Sequence, residues 1–218
     1  MKKLHFLSII LCFACFNLAN AQSDNTDVLH YEINLNVNNL QQNTHIGFSE
    51  ITFLLLEENP EFIEFDLRDQ IIDSVFLEEN PINYTYQNNK LRFTPSNEVT
   101  INDTLRLKVF YQGGNNVEPY NWGGIHYSNS IIYTLGVAFS DYPHCYGRSW
   151  FVCKDNFTDK ATFDFIITTN KNVKAVCSGN LISETENETQ NEKRSFYSEY
   201  FESMKSFNIK ITPFFCCS

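Results

Sequence analysis

Hydrophobic and polar residues alternate along most of the chain with a period of two. The first such run places an apolar row at Leu29, Tyr31, Ile33, Leu35 and Val37 and a polar row at His30, Glu32, Asn34 and Asn36. Successive side chains of a strand point to opposite faces, so this run predicts a half-buried strand. The same reasoning predicts further strands at 46–56, 62–67, 71–77, 91–93, 105–111, 125–135, 161–168 and 173–182.

Turn-forming residues separate these runs at short intervals. They lie at 58–60, 80–81, 87–89, 95–97, 113–116 and 178–180. Such close spacing favours hairpins over crossovers, and no run keeps a helical period. The chain is therefore predicted to be all-β, an antiparallel β-sandwich or saddle-like domain. The polar stretch 184–194 is expected to form a surface hairpin loop, and 136–157 interrupts the alternation.

The ends of the chain differ from its middle. Lys2 and Lys3, an apolar run and a small-residue cleavage site predict a signal peptide over 1–21, cut before Gln22. The run is too short for a membrane span, and no second one follows, so we expect a secreted or periplasmic protein. The domain is expected to cover 22–200, and 201–218 to be a divergent or truncated tail because it ends on apolar and sulfur residues.

Charge and cysteine content narrow the possible partners. The 218 residues include 16 basic and 26 acidic ones, a net charge of −10, which argues against nucleic acid because phosphates would not be neutralised. Export permits disulfides, but the pairing of the remaining cysteines is open, and their spacing does not suit zinc. They are predicted to be buried or disulfide-bonded: Cys145, Cys153, Cys177, Cys216 and Cys217.

Known catalytic motifs are missing from the sequence. A zinc-hydrolase helix needs two histidines one turn apart with a glutamate between them, and no His here is followed by Glu. The histidines after the signal peptide are scattered, at His30, His45, His126 and His144. The serine-hydrolase G-x-S-x-G motif is also absent. We therefore predict neither a catalytic residue nor a metal ligand in this chain.

Residues 147–165 form the most specific stretch, GRSWFVCKDNFTDKATFDF. This stretch resembles the end of the N-terminal β domain of zinc metallopeptidases of the aminopeptidase N family, the gluzincins. The corresponding segment of that family contains, in this order, an Arg, an aromatic residue, Phe-Pro-Cys, an Asp and Lys-Ala-Thr-Phe. Residues 27–38, 123–128 and 175–183 resemble other strands of the same domain. The resemblance covers 27 to about 197.

The chain also departs from the family pattern. Val152 stands where the family usually has Pro, and Pro143 stands where it places a Gln or Glu that holds the substrate's amino group. That role is not carried over to Pro143. The family's zinc helix and its Gly-x-Met-Glu-Asn motif lie in a following catalytic domain, and the sequence ends without either of them.

The motif residues are interpreted as architectural, with a direct substrate contact as the alternative. Arg148 and Asp155 are spaced to pair across a turn, with Lys160 as a further ion-paired anchor. Beneath them we expect an aromatic cluster of Trp150, Phe151, Phe157, Phe163 and Phe165. The residues that match the family motif are Arg148, Phe151, Cys153, Asp155, Lys160, Ala161 and Phe163. Trp122, with Tyr120 and Tyr142, is expected either in an exposed aromatic patch or in a core or interdomain contact.

The resemblance implies a non-catalytic N-terminal domain of a secreted zinc aminopeptidase-like protein. Full-length relatives remove N-terminal residues from peptides, using zinc held in the catalytic domain. This chain is therefore expected to hold no cofactor and to be inactive alone, with a missing or separate zinc domain as its partner. The alternative is a stand-alone exported β-sandwich module that binds a glycan or a protein.

Overall fold

The computed structural model describes residues 25–38, 42–128, 131–142 and 144–199, and the backbone of 215–217. The predicted signal peptide and most of the predicted tail lie outside the described residues, so both stay predictions. Within the described ranges, no helix has the length and apolar character that crossing a membrane requires.

The described residues form sixteen strands and a turn of 3-10 helix at Gly147–Ser149. The strands are β1 Thr26–Asn36, β2 Thr44–Leu55, β3 Ile63–Asp66, β4 Ile71–Leu77, β5 Asn80–Pro81, β6 Thr85–Gln87, β7 Lys90–Phe93, β8 Thr104–Gly114, β9 Asn116–Val117, β10 Gly124–Ser128, β11 Ile131–Leu135, β12 Thr162–Asn170, β13 Lys174–Val176, β14 Asn180–Asn187, β15 Glu192–Glu199 and β16 Phe215–Cys217. The predicted all-β class is confirmed.

Three sheets make up the fold. The large sheet has eight strands in the order β14-β15-β12-β1-β2-β8-β4-β5. A second sheet has the order β13-β16-β11-β10-β9, and a third has the order β3-β7-β6. Most neighbours are antiparallel, as predicted, but β1 and β12 run parallel, with Tyr31 opposite Phe163. This pairing brings the motif-bearing end of the chain against the opening strand.

One core lies on the inner face of the large sheet. Inward positions of β1 and β2, such as Ile33 and Phe53, are fully buried. The ring of Phe53 meets that of Phe65 in β3, with centroids 5.4 Å apart, so the three-stranded sheet packs on this face. Each large apolar side chain buried in this way contributes roughly 1.5–3 kcal/mol.

The alternation in β1 breaks at one point. A register shift between Val28 and His30 marks a β-bulge, and Leu29 is exposed while Val28 is buried. An extra residue in one strand reverses the facing of the positions on its two sides. The prediction that Leu29 belongs to the buried row is therefore wrong.

Two predicted strands are each two strands in the structure. The run 125–135 corresponds to β10 and β11, which pair antiparallel, and 173–182 contains β13 and the start of β14. Gly179 lies between the latter two with a φ of +87°, and a Cβ there would be 2.4 Å from the carbonyl oxygen of Ser198. The polar hairpin at 184–194 exists, but its strands extend further than expected, to Asn187 and from Glu192.

Candidate functional site

The irregular segment between β11 and β12, here called the motif loop, carries most of the predicted motif. It is fastened to the end of β3. Cys153 and Asp66 exchange two backbone hydrogen bonds, of 2.7 and 3.0 Å, and the carbonyl of Arg148 accepts the backbone N–H of Arg68 at 2.7 Å. These bonds satisfy backbone groups that no sheet pairs, so the loop holds a defined conformation.

Arg148 lies between two carboxylates. Its Nη1 is 3.2 Å from Oδ2 of Asp155, and its Nη2 is 2.8 Å from Oδ2 of Asp141. Oδ1 of Asp155 also accepts the backbone N–H of Gly147 at 3.1 Å. The predicted pair of Arg148 and Asp155 is therefore present, and Asp141 is a partner that the sequence did not reveal.

A second set of charges adjoins Asp155. Oδ2 of Asp66 accepts the backbone N–H of Asp155 at 3.1 Å, and Oδ1 lies 2.5 Å from Nζ of Lys90. Lys90 is also 3.1 Å from a carboxylate oxygen of Glu64. Burial raises the pKa of Asp155 to about 6, although the charge of Arg148 opposes the shift. Asp155 is thus a buried acid that titrates near neutrality.

Two further residues of this network were missed. The guanidinium carbon of Arg68 lies 5.0 Å from the ring centroid of Tyr146, and that of Arg148 lies 5.7 Å from the same centroid. Arg68 also reaches Asp141, with Nη1 3.5 Å from Oδ2. Both arginines therefore combine a cation–π contact with an ion pair. Nothing in the spacing of Arg68 and Arg148, which are far apart in sequence, could have shown this.

The aromatic cluster beneath the motif loop is largely as predicted. Trp150, Phe151, Phe163 and Phe165 are all buried. Ring centroids lie 4.6 Å apart for Trp150 and Phe151, and 5.8 Å apart for Phe163 and Phe165. Phe157 is only half-buried.

Tyr31 of β1 completes this cluster and was not predicted as part of it. It stacks on Phe163 with centroids 5.0 Å apart, and its hydroxyl accepts the backbone N–H of Lys154 at 3.0 Å. Burial raises the pKa of Tyr31 well above its ordinary value. The phenol therefore stays neutral and serves packing and hydrogen bonding.

Lys160 does not form the expected ion pair. It is exposed, and among the described residues no carboxylate lies within ion-pair distance of it. Asp159 and Ala161 on either side are buried, so Lys160 falls on the outward position. The anchoring role belongs to Lys154, whose Nζ lies 3.4 Å from Oδ2 of Asp159 and donates to the carbonyl of Thr26.

The described cysteines are buried, as predicted. They are Cys145, Cys153 and Cys177. The side chains of Cys216 and Cys217 lie outside the description, as does Pro143.

The four histidines among the described residues contact four different partners. His30 contacts the Thr162 hydroxyl at 2.7 Å, His45 the Tyr127 hydroxyl at 2.6 Å, His126 the Trp122 carbonyl at 2.9 Å and His144 the Ala138 carbonyl at 3.0 Å. In the described ranges, no group of His, Cys, Asp or Glu has an arrangement suited to a metal ion. The described residues thus do not fit a zinc site.

Glu118 is a buried carboxylate held by the backbone. It accepts the N–H groups of Gly123 at 3.0 Å, Phe139 at 2.8 Å and Ser140 at 2.7 Å. Burial raises the pKa of Glu118, but the three backbone donors outweigh burial and lower it overall. An ionised Glu118 therefore ties the loop before β10 to the motif loop.

The surface above Glu118 is aromatic. Trp122 and Phe139 are 44% and 61% exposed, with ring centroids 4.6 Å apart. Tyr120 lies in the same loop as Trp122, and Tyr142 follows Phe139 in the motif loop; both are exposed. We call these four residues the aromatic patch. The exposure of Trp122, Tyr120 and Tyr142 excludes the core alternative and leaves the exposed patch and the interdomain contact open. Phe139 was not predicted, because the motif loop has no periodic pattern.

Comparison with known proteins identifies the fold. No protein-family profile matches the sequence, and no curated protein matches it. The chain is similar to the M1 zinc metallopeptidase of Deinococcus radiodurans, with a TM-score of 0.71 and 20% identity. The E323A mutant of that enzyme bound to a Tyr-Ser-Ala substrate gives 0.72 and 19%, as does a two-domain M1 zinc metallopeptidase E323A mutant bound to L-arginine.

Each of these matches covers 88% of this chain and 42% of the peptidase chain. The chain thus has the fold of one part of an M1 zinc metallopeptidase and spans less than half of its length. The resemblance predicted from residues 147–165 is confirmed at the level of the fold.

Proposed function

We propose that this chain is the non-catalytic N-terminal β domain of an exported M1-type aminopeptidase-like protein. It would dock on a zinc-bearing catalytic domain, present elsewhere in the same protein or as a separate chain. Removal of N-terminal residues from peptides would then belong to the assembled pair. The alternative is a stand-alone exported β-sandwich module that binds a glycan or a protein.

One observation carries the proposal, namely that 88% of the chain matches 42% of a two-domain M1 zinc metallopeptidase. The charges of Arg148, Asp141 and Asp155 fit this interpretation, because they pair with one another within the chain. Arg148 and Asp155 hold the loop against β3, as a scaffold requires.

The aromatic patch is the surface suited to the zinc domain. Trp122 and Phe139 are exposed large aromatic side chains in contact, and such side chains are typical of interface anchors. Glu118 fixes both of their loops from beneath, so little order would have to be gained on docking.

The first test is enzymatic. We expect the purified chain to release no product from aminoacyl fluorogenic substrates with added zinc, while the Deinococcus radiodurans peptidase serves as the positive control. Turnover that a chelator abolishes would contradict the proposal.

The second test concerns the partner. We expect the gene, read around and beyond codon 200 in all three frames, to encode an H-E-x-x-H sequence. An unrelated gene there would favour the stand-alone module.

If that zinc domain exists, it can be expressed separately and titrated with this chain. Trp122→Ala and Phe139→Ala should weaken docking about fivefold or more, since truncated interface anchors cost over about 1 kcal/mol. Ile182→Ala, which removes an exposed apolar side chain on β14, is the matched control. Equal affinities for all variants would exclude the aromatic patch as the docking surface.

A further inference from the structure

The outer face of the large sheet carries an unusual group of phenylalanines. Phe48 of β2, Phe110 of β8 and Phe76 of β4 alternate with core residues and so point away from the core. Ring centroids lie 5.4 Å apart for Phe48 and Phe110 and 5.9 Å apart for Phe76 and Phe110. All three are half-buried, so they expose aromatic surface to solvent.

Two of these rings line an open groove of about 300 Å³. Its lining residues are Glu50, Phe76, Glu79, Arg106, Lys108 and Phe110. This volume lies at the lower end of the range for small-molecule sites, and aromatic walls with a few polar groups are typical of them. The aromatic patch and the motif loop contribute no residue to this groove.

The charges along the groove are already paired. Nζ of Lys108 lies 3.1 Å from Oε2 of Glu50, and Nη2 of Arg106 lies 3.6 Å from Oε2 of Glu78 and 3.9 Å from Oε1 of Glu79. Lys108 is further fixed 3.9 Å above the ring of Phe48. A charged ligand would have to displace one of these partners, which costs up to about 1 kcal/mol at an exposed pair.

A neutral ligand meets no such cost. An ammonium has three N–H donors and a guanidinium has five, so Lys108 and Arg106 keep donors beyond their ion pairs, and the carboxylates keep acceptors. A pyranose ring presents a C–H face that can stack on Phe76 or Phe110 and hydroxyls that both donate and accept. A neutral sugar can therefore stack on the phenylalanine rings and hydrogen-bond to the paired charged side chains at the same time.

We propose that this groove binds a neutral oligosaccharide. The site does not depend on the proposed docking to a zinc domain, and it gives the chain a glycan-binding activity of its own. Phe76 and Phe110 would stack on the sugar rings, and the four charged side chains would hydrogen-bond to the hydroxyls.

The experiment titrates the full chain with hexasaccharides of glucose, xylose and mannose by calorimetry. Hexasaccharides of galacturonate and of glucosamine serve as anionic and cationic comparators. We expect at least one neutral sugar to bind with a Kd of about 1 mM or tighter, corresponding to roughly −4 kcal/mol. Binding of the charged comparators alone, or of none of these sugars, would overturn the proposal.

Variants locate the site. Phe76→Ala should weaken binding about tenfold, which corresponds to roughly 1.4 kcal/mol, while Phe76→Trp keeps a stacking face and should retain binding. Phe62→Ala is the matched control, because Phe62 is also half-buried and lies 4.8 Å from the guanidinium carbon of Arg92, outside the groove. Thermal unfolding of each variant checks the fold. Equal loss in Phe76→Ala and Phe62→Ala would refute the groove as the binding site.

Discussion

The motif loop and the aromatic patch overlap at Phe139 and Tyr142 but use their residues in opposite ways. In the motif loop, Arg148 and Asp155 are largely buried, and each has partners within the chain. In the aromatic patch, Trp122 and Phe139 are exposed, and the charge lies beneath them. The charged residues that suggest chemistry in the sequence therefore stabilise the fold, and the aromatic residues are available to a partner.

Two buried carboxylates show the same contrast in their ionisation. Glu118 accepts three backbone N–H groups, and its pKa is lowered. Asp155 accepts the backbone N–H of Gly147 and pairs with Arg148, but it lies close to Asp66, and burial raises its pKa to about 6. Three backbone donors therefore keep Glu118 ionised, whereas burial and a neighbouring carboxylate outweigh the partners of Asp155.

The largest expected effect comes from breaking the ion pair of the motif loop. Arg148→Ala removes the cation from two carboxylates and leaves Asp155 buried, so we expect a loss of about 4 kcal/mol in the free energy of unfolding. Urea unfolding at pH 7 measures it. Arg106→Ala, at a solvent-exposed pair, should cost less than about 1 kcal/mol. Equal losses in the two variants would mean that the pair at Arg148 behaves as a surface pair.

A second, somewhat smaller loss of stability distinguishes the two lysines before β12, Lys154 and Lys160. Lys154→Met leaves Asp159 buried without its cation and should cost about 3 kcal/mol, since both side chains are buried. Lys160→Met, at an exposed position, should change stability by less than about 0.5 kcal/mol. Thermal unfolding of both variants checks the assignment. A larger loss at Lys160 would restore the anchoring role predicted from the sequence.

Local spacing accounts for what the sequence could predict. The period of two located most strands, and the short separation of Arg148 and Asp155 was enough to predict their contact. The period of two gave the wrong face of the sheet for Leu29, because a β-bulge changes the face to which a residue points without changing its hydrophobicity. Lys154 and Lys160 are equally basic, and only the facing of each position decides which of them is buried.

The remaining features depend on contacts between distant segments. The parallel pairing of β1 with β12 joins Tyr31 to Phe163, and the contact of Asp66 with Asp155 joins β3 to the motif loop. No periodicity links segments so far apart in the chain. Phe139 was missed for a related reason, since an irregular loop gives no pattern from which exposure can be read.

The smallest of these effects tests whether the core beside β10 holds an uncharged imidazole. His45 is buried, and burial lowers its pKa to about 4. An unfolded His has a pKa of about 6.5, so as the pH falls below this value the unfolded state binds a proton and the folded state does not. Stability from this group is therefore fully present above about pH 6.5 and is lost toward pH 4, by about 2 kcal/mol between pH 7.5 and pH 5.

His45→Gln isolates this contribution because glutamine does not titrate. Asp155 acts in the opposite direction, since its raised pKa makes the folded state less stable as the pH rises from about 4 to about 6, but Asp155 is present in both proteins. The difference in unfolding free energy between wild type and His45→Gln should therefore shift by about 2 kcal/mol in favour of the variant from pH 7.5 to pH 5. A difference that does not change with pH would show that His45 is as easily protonated in the folded chain as in the unfolded one, and that the core beside β10 admits a charge as readily as the motif loop does.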